Sequence, residues 1–150
     1  MNRFIILIIS FLVFAACEKK DPVDQVKVDD EIIRKYIQEH NIDAAKDESG
    51  IYYLITKEGN GYHPTINSYV TLKYKGYLTD GKVFDQTTNA VGFTLSELIE
   101  GWQIGVPKLK SGGKGIFLIP SALGYGSRGS GDIPGNAVLI FEIELIAFEN

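Results

Sequence analysis

The chain carries one cysteine, Cys17, and two histidines, His40 and His63, in 150 residues, so it holds few of the side chains that most enzymes use for covalent chemistry. A Ser-His-Asp triad would need His40 or His63 as its base, and neither has a G-x-S-x-G elbow as partner. A single thiol excludes a disulfide framework and a multi-thiolate zinc site, so neither a metal nor a cofactor is expected. Gly124-Tyr125-Gly126-Ser127-Arg128-Gly129 spells G-x-G-x-x-G, but a dinucleotide site needs that run to open a helix after a strand. Here Gly131 and Pro134 follow at once, so the glycines read as a shaped surface loop. What remains is a surplus of rings: eight tyrosines, eight phenylalanines and one tryptophan. Tyr74 and Phe84 flank a hairpin turn and should be cross-strand neighbours, while Trp102, Tyr125 and Phe141 fall on a helix, a long loop and the last strand. Such rings make either a packed aromatic core or the lining of a cleft, with Asp85 as its charge.

The elements that must bring those rings together follow from periodicity. Ile51–Lys57, Tyr69–Leu78, the run from Val83 to Asp85, Gly115–Ile119 and Ala137–Phe148 read as strands. In Tyr69–Leu78, Val70, Leu72 and Tyr74 share one face. Asp80-Gly81 is a strong hairpin signal. Ile99, Trp102 and Val106 lie at helical spacing, and Pro107 ends that helix after about two turns. Residues 120–136 form a loop longer than the ~12–15 residues that compact domains leave without a function. Upstream, Asp30 is a plausible N-cap for an amphipathic helix carrying Ile32, Ile33, Tyr36 and Ile37 and ending near His40. Its expected role is to dock on the main domain, the alternative being a dimer handle. The sum is an α+β fold: a twisted antiparallel sheet of about five strands wrapped around one short helix.

The net charge of −4 argues against a phosphate-backbone binder, so no nucleic-acid partner is expected. At the N-terminus, Arg3 precedes an apolar run from Phe4 to Ala16, too short for the ~20 residues of a spanning helix and suited to a secretory signal. Ala15-Ala16-Cys17 resembles the lipobox of bacterial lipoproteins, which implies that Cys17 is lipidated and becomes the mature N-terminus. The expected organisation is a signal peptide over 1–16, a lipidated cysteine and tether over 17–28, a helical segment over 29–49 and the main domain over 50–150. The expected location is the bacterial cell envelope, with the membrane reached through the lipid anchor.

Five stretches, Leu72–Asp85 (LKYKGYLTDGKVFD), Glu97–Val106 (ELIEGWQIGV), Gly112–Pro120 (GGKGIFLIP), Leu123–Gly126 (LGYG) and Ile133–Leu145 (IPGNAVLIFEIEL), resemble the FKBP-type peptidyl-prolyl cis–trans isomerases in order and spacing. The resemblance covers roughly residues 50–148. It implies a sheet curled around a short helix with the pocket between them. Carried over by position, it implies a catalytic set of Tyr74, Phe84, Asp85, Ile99, Trp102, Tyr125 and Phe141, with Trp102 as floor. Leu98, Ile133 and Val91 are implied as substrate-binding, Val91 falling where a phenylalanine is common. The Ile99 N–H and the Tyr125 hydroxyl are implied to hold substrate carbonyls. The implied partners are proline-containing polypeptides, with macrolide inhibitors as further ligands, and a monomer is expected. The implied activity is X–Pro isomerisation in exported proteins. The alternatives are a non-catalytic peptide-binding module of the same fold and a structural lipoprotein with an aromatic core.

Overall fold

The computed structural model describes residues 24–150. Cys17 and the leader reading of residues 1–16 lie outside the described residues. Helix α1 spans Gln25–Glu39, followed by strands β1 (Ala45–Lys46), β2 (Tyr52–Lys57), β3 (Tyr69–Leu78), β4 (Val83–Gln86) and β5 (Val91–Thr94). Helix α2 (Glu100–Gly105), β6 (Lys114–Ile119) and β7 (Leu139–Glu149) complete the order. All seven strands join one antiparallel sheet in the order β1-β2-β6-β7-β3-β4, with β5 also on β3. The five expected strands are present. The two others are short: β1 has two residues and β5 has four, below the length at which alternation is readable.

The β3 edge positions most of the rings. β4 and β5 follow one another along the same side of β3: Lys75 pairs with Gln86, and Leu72 with Val91. The four residues between β4 and β5 therefore bulge out opposite Tyr74, whose carbonyl accepts the Thr87 N–H at 2.9 Å. A bulge bends its strand and sharpens the twist, which curls this end of the sheet. The β3–β4 turn places Gly81 at φ +86°, which its missing side chain makes inexpensive, and Asp80 Oδ1 accepts the Lys82 N–H at 2.9 Å.

Alternation divides the side chains between two cores. Val70, Leu72, Phe117, Ile119, Leu139, Phe141, Ile143 and Leu145 point inward, where Trp102 and Val106 cover them. Leu118, Val138, Ile140 and Tyr52 point outward, where Ile33 and Tyr36 of α1 dock on them. Burying each such side chain contributes about 1.5–3 kcal/mol, which gives α1 a stability that its length alone does not supply. The N-cap of α1 is Asp24, six residues before the expected Asp30, so Asp30 is not its cap. Instead Asp30 sits within the helix, pairs with Arg34 (2.8 Å) and Lys46 (2.6 Å), and accepts the Tyr52 hydroxyl (2.8 Å). The last four residues of the expected tether, 25–28, are helical. The acid at 29 hid the start, because it lies on the buried stripe with Ile33 and Tyr36. Pro107 does not end the covering turn abruptly: α2 passes into a 3-10 turn over Val106–Lys108.

Candidate active site

The inner face does not close over its rings. A hollow of about 150 Å³ opens there, lined by Tyr74, Phe84, Asp85, Phe93, Leu98, Ile99, Trp102, Tyr125 and Phe141. Its base is Trp102, 5% exposed, which α2 carries close to the sheet. That approach depends on Gly101, where an added Cβ would lie 2.5 Å from Ile119 Cγ2. Three rings stand almost upright on the indole plane: Tyr74 at 82° and 5.0 Å, Phe141 at 87° and 5.1 Å, and Phe93 at 87° and 6.3 Å between centroids. Edge-to-face pairs of this kind are favourable for aromatic quadrupoles, and here they make the indole a floor and the other rings walls. Phe84 extends the wall, 5.5 Å and 82° from Phe141.

Gly76 lets Phe84 and Phe141 meet. It pairs with Phe141 of β7 and Asp85 of β4, and a Cβ on it would lie 2.6 Å from atoms of both rings. The indole N–H of Trp102 is buried and has no hydrogen-bond partner in the protein. Such a donor is costly in a core and rare.

Polar groups sit at the rim. The Tyr74 hydroxyl donates to Asp85 Oδ2 at 2.6 Å. Burial, then the Asp85 carboxylate, pushes the Tyr74 phenol far above its ordinary range, so it stays a donor at any working pH. Burial also raises the Tyr125 phenol, with Asp85 adding to it. Ile99 precedes α2 as its N-cap, with φ −57° and ψ 148°. An amide at that position has no acceptor within the helix, so it is available to a ligand. Among the described residues, no group of three or more His, Cys, Asp or Glu is placed to hold a metal.

The hollow brings together the seven residues expected as the catalytic set, and Leu98 with them. Two expected residues lie elsewhere. Ile133 is 7% exposed in the inner core, its loop closed by paired Ser130 and Ile133 amide bonds of 2.9 and 2.8 Å. Val91 faces Leu72 across β3–β5 and is not in the lining, whereas Phe93, two residues on and on the same strand face, is. Reading β5 as a strand would have put the ring at 93 inward by alternation; sequence reasoning missed it because residues 86–90 look like loop. Larger hollows lack this convergence. One, about 320 Å³, is bordered by Lys73, Lys75, Lys114, Glu142 and Glu144; another, about 480 Å³, lies between α1 and Pro120–Leu123; a third, about 340 Å³, lies between α1 and Thr79-Asp80.

Residues 61–146 match the family model of the FKBP-type peptidyl-prolyl cis-trans isomerases. The chain is 38% identical over 133 residues to the FKBP-type peptidyl-prolyl cis-trans isomerase FkpA of Aeromonas hydrophila, covering 87% of this chain and 49% of that one. It is 46% identical over 112 residues to the probable FkpA of Neisseria meningitidis, covering 69% and 41%. The chain thus spans about half the length, or less, of these curated relatives. It is also 42% identical to FK506-binding protein 1 of Dictyostelium discoideum, covering 67% of this chain and 99% of that one. Among solved structures, a peptidyl-prolyl cis-trans isomerase of Pseudomonas syringae superposes with a TM-score of 0.72 at 33% identity, covering 83% and 96%. FkpA of Escherichia coli superposes with a TM-score of 0.71 at 30% identity, covering 83% and 62%. With more than half of its length in that match and the hollow floored by Trp102, the chain belongs to the FKBP-type peptidyl-prolyl cis-trans isomerase family.

Proposed function

We propose that this chain accelerates cis–trans isomerisation of X–Pro bonds in exported polypeptides. The observation that carries the reading is the small hollow with an indole floor, upright aromatic walls and the Tyr74–Asp85 pair and Tyr125 in its lining. An X–Pro bond resists rotation by ~18–20 kcal/mol because resonance stiffens it, and ~20 kcal/mol corresponds to roughly 0.01 turns per second. At the twisted transition state that resonance is lost and the amide is less polar than when planar. A water-poor aromatic site therefore disfavours the planar forms more than the twisted one. Phe84, Trp102 and Phe141 exclude water around the proline ring, while the Ile99 N–H and the Tyr125 hydroxyl hold the flanking carbonyls and orient the peptide. Asp85 fixes the wall through Tyr74 rather than moving a proton. At about 150 Å³ the hollow is below the ~300 Å³ of a drug-sized site, which suits a five-membered ring with its chain lying across the rim.

A protease-coupled assay on a prolyl tetrapeptide tests the reading. Turnover is expected, together with its loss in the Phe84→Ala, Trp102→Ala double variant; turnover unchanged in that variant excludes the hollow as catalyst. We also propose an envelope location with Cys17 as lipid anchor, on the strength of the apolar run to Ala16 and the Ala15-Ala16-Cys17 step. Several acyl chains at ~0.8 kcal/mol per buried methylene make a firm anchor where one is marginal. Radiolabelled palmitate should enter the wild type and not Cys17→Ala; label retained by that variant defeats the anchor.

A further inference from the structure

Asp29 of α1 is 1% exposed, and a carboxylate so deeply buried must be fully hydrogen-bonded. Its Oδ2 accepts from the Ser121 N–H at 2.8 Å and from the Ser121 hydroxyl at 2.6 Å, and its Oδ1 accepts from Gln25 Nε2 at 2.7 Å. Ser121 is equally buried and lies ninety-two positions further along the chain. It is also the hub of the turn that carries Tyr125. The Ser121 carbonyl accepts the N–H of Gly124 at 3.0 Å and that of Gly126 at 2.8 Å, the two residues that flank Tyr125. The Gly126 carbonyl in turn accepts the Asn136 N–H at 2.8 Å, which closes the loop behind it. Ser121 is thus engaged on both sides, its N–H and hydroxyl by Asp29 and its carbonyl by the segment that carries Tyr125 into the lining of the hollow.

We propose that Asp29 is a positioning residue for the prolyl site: the buried carboxylate on the outer helix fixes Ser121, and Ser121 fixes where the Tyr125 hydroxyl stands. This rests on the functional reading above. Charge-assisted bonds are roughly twice as strong as neutral ones, and two of them hold the N–H and side chain of the serine whose carbonyl bonds Gly124 and Gly126. A rim donor must be placed within a fraction of an ångström to orient a peptide, so freedom at Ser121 reaches the site as a misplaced phenol. The helix is then more than a cover for the outer face, because it completes the loop on which the peptide is held.

The test is a double-mutant cycle of Asp29→Asn with Tyr125→Phe in the full chain, read in kcat/KM for a prolyl tetrapeptide. Asp29→Asn alone is expected to lower kcat/KM about three- to tenfold, no more than Tyr125→Phe does, and to have no further effect in the Tyr125→Phe background. Effects that multiply, an Asp29→Asn loss larger than that of Tyr125→Phe, or no loss at all overturn the proposal. Ser121→Ala removes only the hydroxyl bond, and its smaller loss should vanish in the same background; this keeps the cycle readable where Asp29→Asn does not fold. A wild type that turns nothing over sinks the isomerase reading separately. The cycle is then read in tetrapeptide affinity by titration calorimetry, where the same non-additivity is required and its absence is decisive.

Discussion

The two faces of the sheet are built from consecutive residues to opposite ends. On β7, Ile140 and Phe141 are neighbours; one is sealed beneath α1, and the other forms a wall of the hollow. The outer face packs Leu118, Val138 and Ile140 under a helix and closes its edge with the Asp30, Arg34, Lys46 and Tyr52 cluster, and the hollow beside that cluster has no converging rings. The inner face sets rings edge to face, which holds them apart and leaves room between them. Packing there is stable without being complete. Stability alone would fill the space, so the difference separates the part of this molecule that holds the fold from the part that uses it.

The sharpest way to break that contrast is to truncate the two neighbours in turn. Ile140→Ala is expected to cost about 2–5 kcal/mol and Phe141→Ala about 3–5 kcal/mol in urea unfolding. The stability losses are similar, but the functional ones diverge: kcat/KM of folded Ile140→Ala should stay within about twofold, the scale of additive distant effects. Phe141→Ala should lose at least about tenfold, equivalent to 1.36 kcal/mol of transition-state stabilisation. Equal activity losses from the two variants erase the distinction between the faces. Gly76→Ala probes the same wall from beneath. Its Cβ would press on both Phe84 and Phe141, and overpacking of this kind costs about 1–3 kcal/mol. Activity should fall with it, since the rings must spread; a crystal structure with both rings unmoved would remove that explanation.

Much of this contrast was legible in the sequence, and the reason is local. Alternation along Tyr69–Leu78 and Ala137–Phe148 fixes which side each ring takes, and Asp80-Gly81 marks the turn, but Tyr74 and Phe84 are not the cross-strand pair expected: a register shift between Gly76 and Tyr77 sets Asp85 opposite Gly76, and the Tyr74 carbonyl meets the Thr87 N–H instead. The signals that failed were those whose meaning is set by distant partners. Asp29 carries no signal that sets it apart from Asp30 and Glu31 beside it, and only the fold brings Ser121 to it. Phe93 escapes notice because the polar run over residues 86–90 hides the start of β5, which is held as a strand by its pairing with β3. Ile133, which the resemblance implies as substrate-binding, sits 7% exposed in the inner core and is not among the residues that line the hollow.

Behind the hollow, a smaller effect ties the β1–β2 connection to the end of α2. Lys108 Nζ lies 2.6 Å from Asp47 Oδ2 and 4.6 Å from the centroid of Tyr53. The Lys108 ammonium and then the Ser49 hydrogen bonds hold the Asp47 carboxyl down at about 2, from an ordinary 3.8. A depressed carboxyl contributes stability that is complete above the unfolded value and disappears as pH falls through the folded one. Between about pH 4 and pH 2 the chain should therefore lose at most about 2 kcal/mol from this pair, which is about one-fifth exposed. In Asp47→Asn that part of the pH slope should be absent, and a slope unchanged by the substitution assigns acid sensitivity elsewhere.

The smallest expected effect tests whether the rim belongs with the walls or with the outer surface. Tyr74→Phe keeps the ring that stands on Trp102 and deletes only the hydroxyl bonded to Asp85. One net hydrogen bond is worth about 0.5–1.5 kcal/mol, so stability should fall by no more than that. The phenol is protonated throughout the working range, so removing it should leave the shape of the pH–rate profile between about pH 6 and 9 unchanged, because no titrating group is lost. If Asp85 acts by bracing the wall through Tyr74, then Asp85→Asn, which can still accept that bond, should lose less activity than Tyr74→Phe. The reverse order, or a profile that shifts in either variant, would give Asp85 a role of its own at the peptide and move the division between wall and rim by one residue.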